Sequence, residues 1–269
     1  MSKTPISSAA FGDTKPHYMI LDGLRGVAAI MVVWFHIFEA YATSHLDQKI
    51  NHGYLAVDFF FILSGFVIGY AYDDRWKTMT VKDFIKRRVI RLHPMVVMGM
   101  LVGALFFYFG ACGAFPAIGA TPWWQVLLIF LLGCTLLPAP MAWDIRGWGE
   151  TYPLNGPAWS LFYEYIANIL YALVIRRFPK FVLGLFVAAA AVLTIDLTLN
   201  LDLFGMLPAD RSAAYTVIGG WSLTPTQVYI GFSRLLYPFF AGLLLSRLGA
   251  AIRVRGGFWW CSLLVAAAL

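Results

Sequence analysis

Cysteine is scarce in this chain, three in 269 residues, and Cys112, Cys134 and Cys261 lie far apart in apolar segments. An odd, scattered set supports neither a disulfide framework nor a metal cluster. Charge is scarce as well: 13% of residues are charged against 60% hydrophobic, with a mean hydropathy of +0.72. That balance excludes a soluble globular domain and calls for an all-α, polytopic bundle of membrane helices. No internal repeat or low-complexity segment stands out. The first nineteen residues are polar, with Lys3 and Lys15 and no early apolar core, so the expectation is an uncleaved chain whose first span acts as insertion signal. The formal net charge of +6 sits in short connections between apolar runs, which fits the positive-inside rule rather than a nucleic-acid partner.

Apolar runs occupy 19–42, 54–72, 95–112, 123–138, 158–175, 181–201, 226–246 and 258–269. The final run is too short for the roughly 20 residues of a span, so the chain is expected to be a truncated piece of a longer protein. Arg75, Lys77, Lys82, Lys86, Arg87, Arg88 and Arg91 fill one connection, Arg176, Arg177 and Lys180 a second, and Arg247, Arg253 and Arg255 a third. These should be cytoplasmic, as should an N-terminal tail over 1–18, with 19–269 forming the membrane domain. If every run crossed, the second basic connection would fall on the wrong side. The run at 123–138, bounded by Pro122, Pro138 and Pro140, is therefore read as a short re-entrant or outer-leaflet helix beside about seven spans.

Several spans carry groups that lipid disfavours. "LDGLRGVAAIMVVWFHIFEAY", residues 21–41, holds Arg25 and His36. An arginine at the bilayer centre costs about 2.5–3.5 kcal/mol, so an ionisable residue there is a functional candidate. Eleven helical steps return His36 to within about 20° of Arg25, some 16 Å further along the axis. One face thus offers a cation at one depth and a proton-transfer or nucleophilic group at another. In "GYLAVDFFFILSGFVIGY", Asp58 and Ser64 interrupt a span, and Gly65 and Gly69 have a spacing that suits close helix packing. Asp58 either pairs with a neighbour such as a histidine or caps its helix.

"KDFIKRRVIRLHP" is a basic amphipathic stretch leading to Pro94, read as the first-turn proline of the next span. Lys82 and Lys86 suit topology and anionic lipid headgroups. Arg88 and Arg91 share a face and could grip phosphates bidentately. In "NGPAWSLFYEY", Ser160 and Glu164 lie one turn apart; Glu164 needs a partner or a polar cavity, and Ser160 suits a helix cap or an acyl relay.

"LDGLRGVAAIMVVWFH", "VDFFFILSGF", "RRVIRLHP", "PAWSLFYE" and "RLLYPFFAGLLL", in that order, resemble the signatures of the acyltransferase-3 family of integral-membrane O-acyltransferases. The resemblance implies transfer of an acyl group, commonly acetyl, from cytoplasmic acyl-CoA to a hydroxyl of a surface carbohydrate, lipid-linked sugar or related glycosylated acceptor, with no metal. It points to Arg25 and His36, to Arg88 and Arg91, and to Trp159, Ser160 and Glu164. His93 stands where many relatives carry an aromatic residue. On this reading the arginines hold the donor, while His36 acts as general base or acyl carrier. Glu164, or else Asp58, orients the imidazole. Family members usually have more membrane helices than the runs supply, which again implies truncation. The rival reading is a transporter using His, Asp and Glu as a proton relay, although such proteins are often built from repeats.

Overall fold

The computed structural model describes residues 18–39, 41–43, 47–49, 51–113, 115–211, 213–249 and 254–268. The expected N-terminal tail, apart from Tyr18, and Arg253 of the third basic connection lie outside the described residues. Among those described the chain is all-helical, because a helix satisfies its backbone polar groups internally. In order come α1 (Met19–Glu39), α2 (Ala56–Tyr72), α3 (Val81–Phe106), α4 (Pro116–Ala120), α5 (Trp123–Cys134), α6 (Ala158–Leu173), α7 (Lys180–Leu199), α8 (Pro225–Leu248) and α9 (Gly257–Ala268). Five stretches are long and apolar enough to cross a membrane: Met19–Glu39, Gly53–Tyr72, Val81–Gly110, Lys180–Leu199 and Pro225–Leu248. At 16 and 12 residues, α6 and α9 are shorter. The start of α6 is sunk into the bundle, since Asn155 just ahead of it packs on Gly99 in the body of α3.

Pro94 does not begin a helix. It lies inside α3, which runs unbroken from a capping box at Thr80 and Asp83 to Phe106. The ring removes one backbone donor, a loss a helix packed among neighbours tolerates. Arg88 and Arg91 consequently stand within a long rod rather than in a loop before it.

The tightest joint is between α2 and α8. A Cβ on Gly65 would fall 1.8 Å from the Phe239 carbonyl oxygen, and one on Gly242 would fall 2.0 Å from that of Ile62. The missing side chains let the two backbones touch at both positions. Around this joint Phe61, Phe84, Tyr171, Phe239 and Phe240 build a buried aromatic core from α2, α3, α6 and α8. By contrast, α1 lies at the edge with most of its residues partly or fully exposed; Gly23 receives the ring of Phe258 from α9.

The three basic connections meet at one end. Arg247 Nε is 2.7 Å from Asp73 Oδ2, and its Nη1 donates to the Phe178 carbonyl at 2.7 Å. Arg176 stacks on the Trp76 ring at 4.2 Å, and Trp76 Nε1 donates to Tyr171 Oη at 2.9 Å. The excursion through α5 stays at the opposite end. Tyr108 Oη donates to the Thr121 carbonyl at the start of this excursion, and Gly133 near its turning point packs on Met100. The chain then returns so that Thr121 Oγ1 donates to the Ile145 carbonyl at 3.4 Å.

Candidate functional site

Two cavities lie between the helices, at different depths. One, of about 260 Å³, lies towards the basic end and is lined by Arg25, Arg88, Arg91, Ser64 and Glu164; we call it the arginine chamber. The other, of about 480 Å³, lies towards the opposite end and is lined by His36, Glu39, Arg146, Glu150, Trp159 and Arg234 among others; this is the histidine chamber. Val57 and Ser160 line both, so the chambers adjoin at those two side chains.

Each side chain reaches its place for a local reason. Rising along α1, Arg25 enters the arginine chamber and His36, on the same face, the histidine chamber. Arg25 Nη1 donates to Asp22 Oδ1 at 2.8 Å, one turn earlier. Arg88 is 2% exposed, and its Nη2 donates to Glu164 Oε1 at 2.6 Å. That same oxygen accepts from Ser64 Oγ at 2.5 Å. Arg88 Nε is buried without a hydrogen-bond partner. The arginine chamber therefore gathers three guanidiniums, Arg88 paired with Glu164 and Arg25 with Asp22, which leaves one positive charge in excess and suits phosphate.

Glu164 is not the partner of His36. One turn deeper along α6 than Ser160, it belongs to the arginine chamber, where Arg88 and Ser64 hold it. The His36 imidazole instead meets Glu39 on its own helix, Nδ1 to Oε2 at 2.8 Å, both side chains being partly exposed. Asp58 neither caps α2 nor meets a histidine. It pairs with Arg234 of α8, at 2.7 Å from Nη2 and 3.2 Å from Nε. Arg234 also donates to the carbonyls of Gly219 and Tyr54 and stacks on Trp159 at 5.1 Å. Trp159 is thus a wall of the histidine chamber. Ser160 donates to the Pro157 carbonyl at 2.8 Å, so its hydroxyl serves the first turn of α6 as a donor rather than as a cap.

Glu39, Arg146, Glu150 and Arg234 escaped the reading by motif. Glu39 follows His36 by one helical turn, and Arg146 and Glu150 are spaced for a pair, which they make at 3.4 Å. Burial pushes the Glu150 carboxyl above the usual carboxylate range, against the lowering effect of Arg146 beside it. Arg234 is an arginine inside an apolar run, the same signal that singled out Arg25. Among the described residues no group of three or more His, Cys, Asp or Glu is placed to hold a metal ion.

An apolar bundle that keeps an imidazole and a cluster of guanidiniums at two depths has the make-up of a membrane-embedded group-transfer enzyme. The chain belongs to the Acyl_transf_3 family, whose acyltransferase domain matches residues 20–269. It is an integral membrane acyltransferase. Among its relatives, "Protein 2 in picA locus" of Rhizobium radiobacter is 35% identical over 58% of this chain and 81% of that protein. "Acyltransferase MdmB" of Streptomyces mycarofaciens is 29% identical over 59% of this chain and 40% of its own length. "Peptidoglycan O-acetyltransferase OatA" of Listeria monocytogenes is 32% identical over 33% of this chain, which spans only 14% of that protein. No solved structure matches the chain.

Proposed function

We propose that the protein moves an acyl group, acetyl in the first instance, from acyl-CoA on the cytoplasmic side to a hydroxyl of a carbohydrate on the other side of the membrane. The observation that carries this reading is the pair of adjoining chambers, one lined by Arg25, Arg88 and Arg91 and the other by His36, meeting at Val57 and Ser160. Two relatives of known class, an acyltransferase and a peptidoglycan O-acetyltransferase, point the same way. The convergence of the basic connections supports a cytoplasmic assignment for the arginine end, and with it an N-terminus on that side.

The donor's phosphates sit on the arginines, and its flexible arm extends the thioester towards Ser160. In the neutral tautomer that Glu39 favours, His36 donates its Nδ1 proton to the carboxylate and keeps a lone pair on Nε2. The acceptor hydroxyl gives its proton to Nε2 as its oxygen attacks the thioester carbonyl carbon. The C–S bond breaks, the acyl group leaves on the acceptor oxygen, and the CoA thiolate recovers the proton. This is the general-base route; an acyl-histidine would form at the same nitrogen. The test is to incubate the purified chain in detergent with radiolabelled acetyl-CoA and follow CoA release with and without carbohydrate. Release that His36→Ala leaves untouched would falsify the assignment.

A further inference from the structure

Both guanidiniums of the histidine chamber are paired, whereas among the described residues Arg91 of the arginine chamber has no ion pair. In the histidine chamber Arg234 is committed to Asp58 and to two carbonyls. Arg146 is committed to Glu150 and lies over the rings of Phe115 and Trp148, at 5.7 and 5.3 Å. Each guanidinium in this chamber is thus paired with a carboxylate, Arg234 with Asp58 and Arg146 with Glu150. Glu150 is only half used, because Arg146 reaches Oε2 and, among the described residues, Oε1 accepts no hydrogen bond. Gly156 makes room for that oxygen, since a Cβ there would stand 2.9 Å from Oε1. Asp144 sets the loop that presents both residues, accepting from the backbone N–H of Arg146 at 3.0 Å and of Gly149 at 2.5 Å.

A carboxylate oxygen accepts hydrogen bonds and donates none while ionised, so the group it awaits must be a donor. Around it Tyr54, Trp148, Trp159 and Trp221 supply aromatic lining, against which the C–H face of a ring can lie. We infer that the Arg146–Glu150 wall is the acceptor subsite, and that it takes a neutral, hydroxyl-rich sugar ring in preference to an anionic one, with Glu150 receiving hydrogen bonds from ring hydroxyls. This rests on the acyl-transfer reading for the role of the bound sugar, though not for its binding. Glu150 binds and orients the ring beside His36, and its charge repels a uronate or phosphate.

The test uses two probes that differ only at one carbon, methyl β-D-glucopyranoside and methyl β-D-glucuronide, titrated calorimetrically into the detergent-purified full chain. The glucoside should bind at least about tenfold more tightly than the glucuronide. Glu150→Gln should weaken the glucoside and narrow the preference, while acetyl-CoA titrated into the same samples binds unchanged. Gly156→Ala, which pushes the carboxylate aside without altering charge, should weaken the glucoside by a smaller factor. Equal or tighter glucuronide binding, or no binding of either sugar to protein that binds acetyl-CoA, overturns the inference. Sugar discrimination in protein that fails to bind acetyl-CoA upholds it and removes the donor assignment instead.

Discussion

The arginine chamber and the histidine chamber share α1, α2 and α6 but treat charge differently, α3 completing the first and α8 the second. In the first, Arg88 has Glu164 and Arg25 has Asp22, while among the described residues Arg91 has no ion pair. In the second, each guanidinium has its own acid, Arg234 with Asp58 and Arg146 with Glu150. A surplus of one sign draws in an oppositely charged ligand, whereas matched pairs hold walls in place and leave recognition to hydroxyls and rings. On the proposed reading the difference gives the site a direction, with an anionic donor entering from one end and an uncharged acceptor from the other.

Four variants test that contrast. His36→Ala leaves both cavities open and removes the chemistry, so CoA release should fall on the order of 10²-fold or more while acetyl-CoA affinity stays as it was. Ser160→Leu puts bulk where the chambers adjoin; donor binding should persist and turnover fall by about 10²-fold, because a small misplacement of reacting atoms has that cost. If turnover survives with the leucine in place, the acyl group does not pass between Val57 and Ser160. Replacing Arg88 and Arg91 together by lysine preserves charge and loses the planar forks, so the acetyl-CoA dissociation constant should rise about tenfold with topology intact. An unchanged constant would reduce both residues to topology signals and packing. Glu39→Gln should have the smallest effect, about a threefold drop in turnover with KM unmoved, since a pair this exposed contributes under about 1 kcal/mol.

Much of this was legible in the sequence, and most of the failures share a cause. The spacing of Arg25 and His36 places them on one face and at two depths because a helix obeys a fixed angle per residue, and both line cavities. Gly65 and Gly69 were readable as packing residues, and they pack, against Phe239 and against Leu243 and Ser246. Partners across helices were not readable. Asp58 finds Arg234 far along the chain, Glu164 finds Arg88 rather than His36, and no local spacing encodes either pairing. The wrong boundary at Pro94 has a different origin: proline opens many helices, but the chain on both sides of it packs against neighbours that hold a single rod together.

The helix that carries Arg25 also carries His36, while α2 and α8 are locked to each other through Gly65 and Gly242. Those two helices form the close-packed joint, and α1 contributes one residue to each chamber. Wherever a bound donor displaces Arg25, a helix that keeps its hydrogen bonds carries His36 with it. On the proposed reading donor and acceptor are then thermodynamically linked, and any factor by which acyl-CoA changes the affinity for the sugar must be the factor by which the sugar changes the affinity for acyl-CoA.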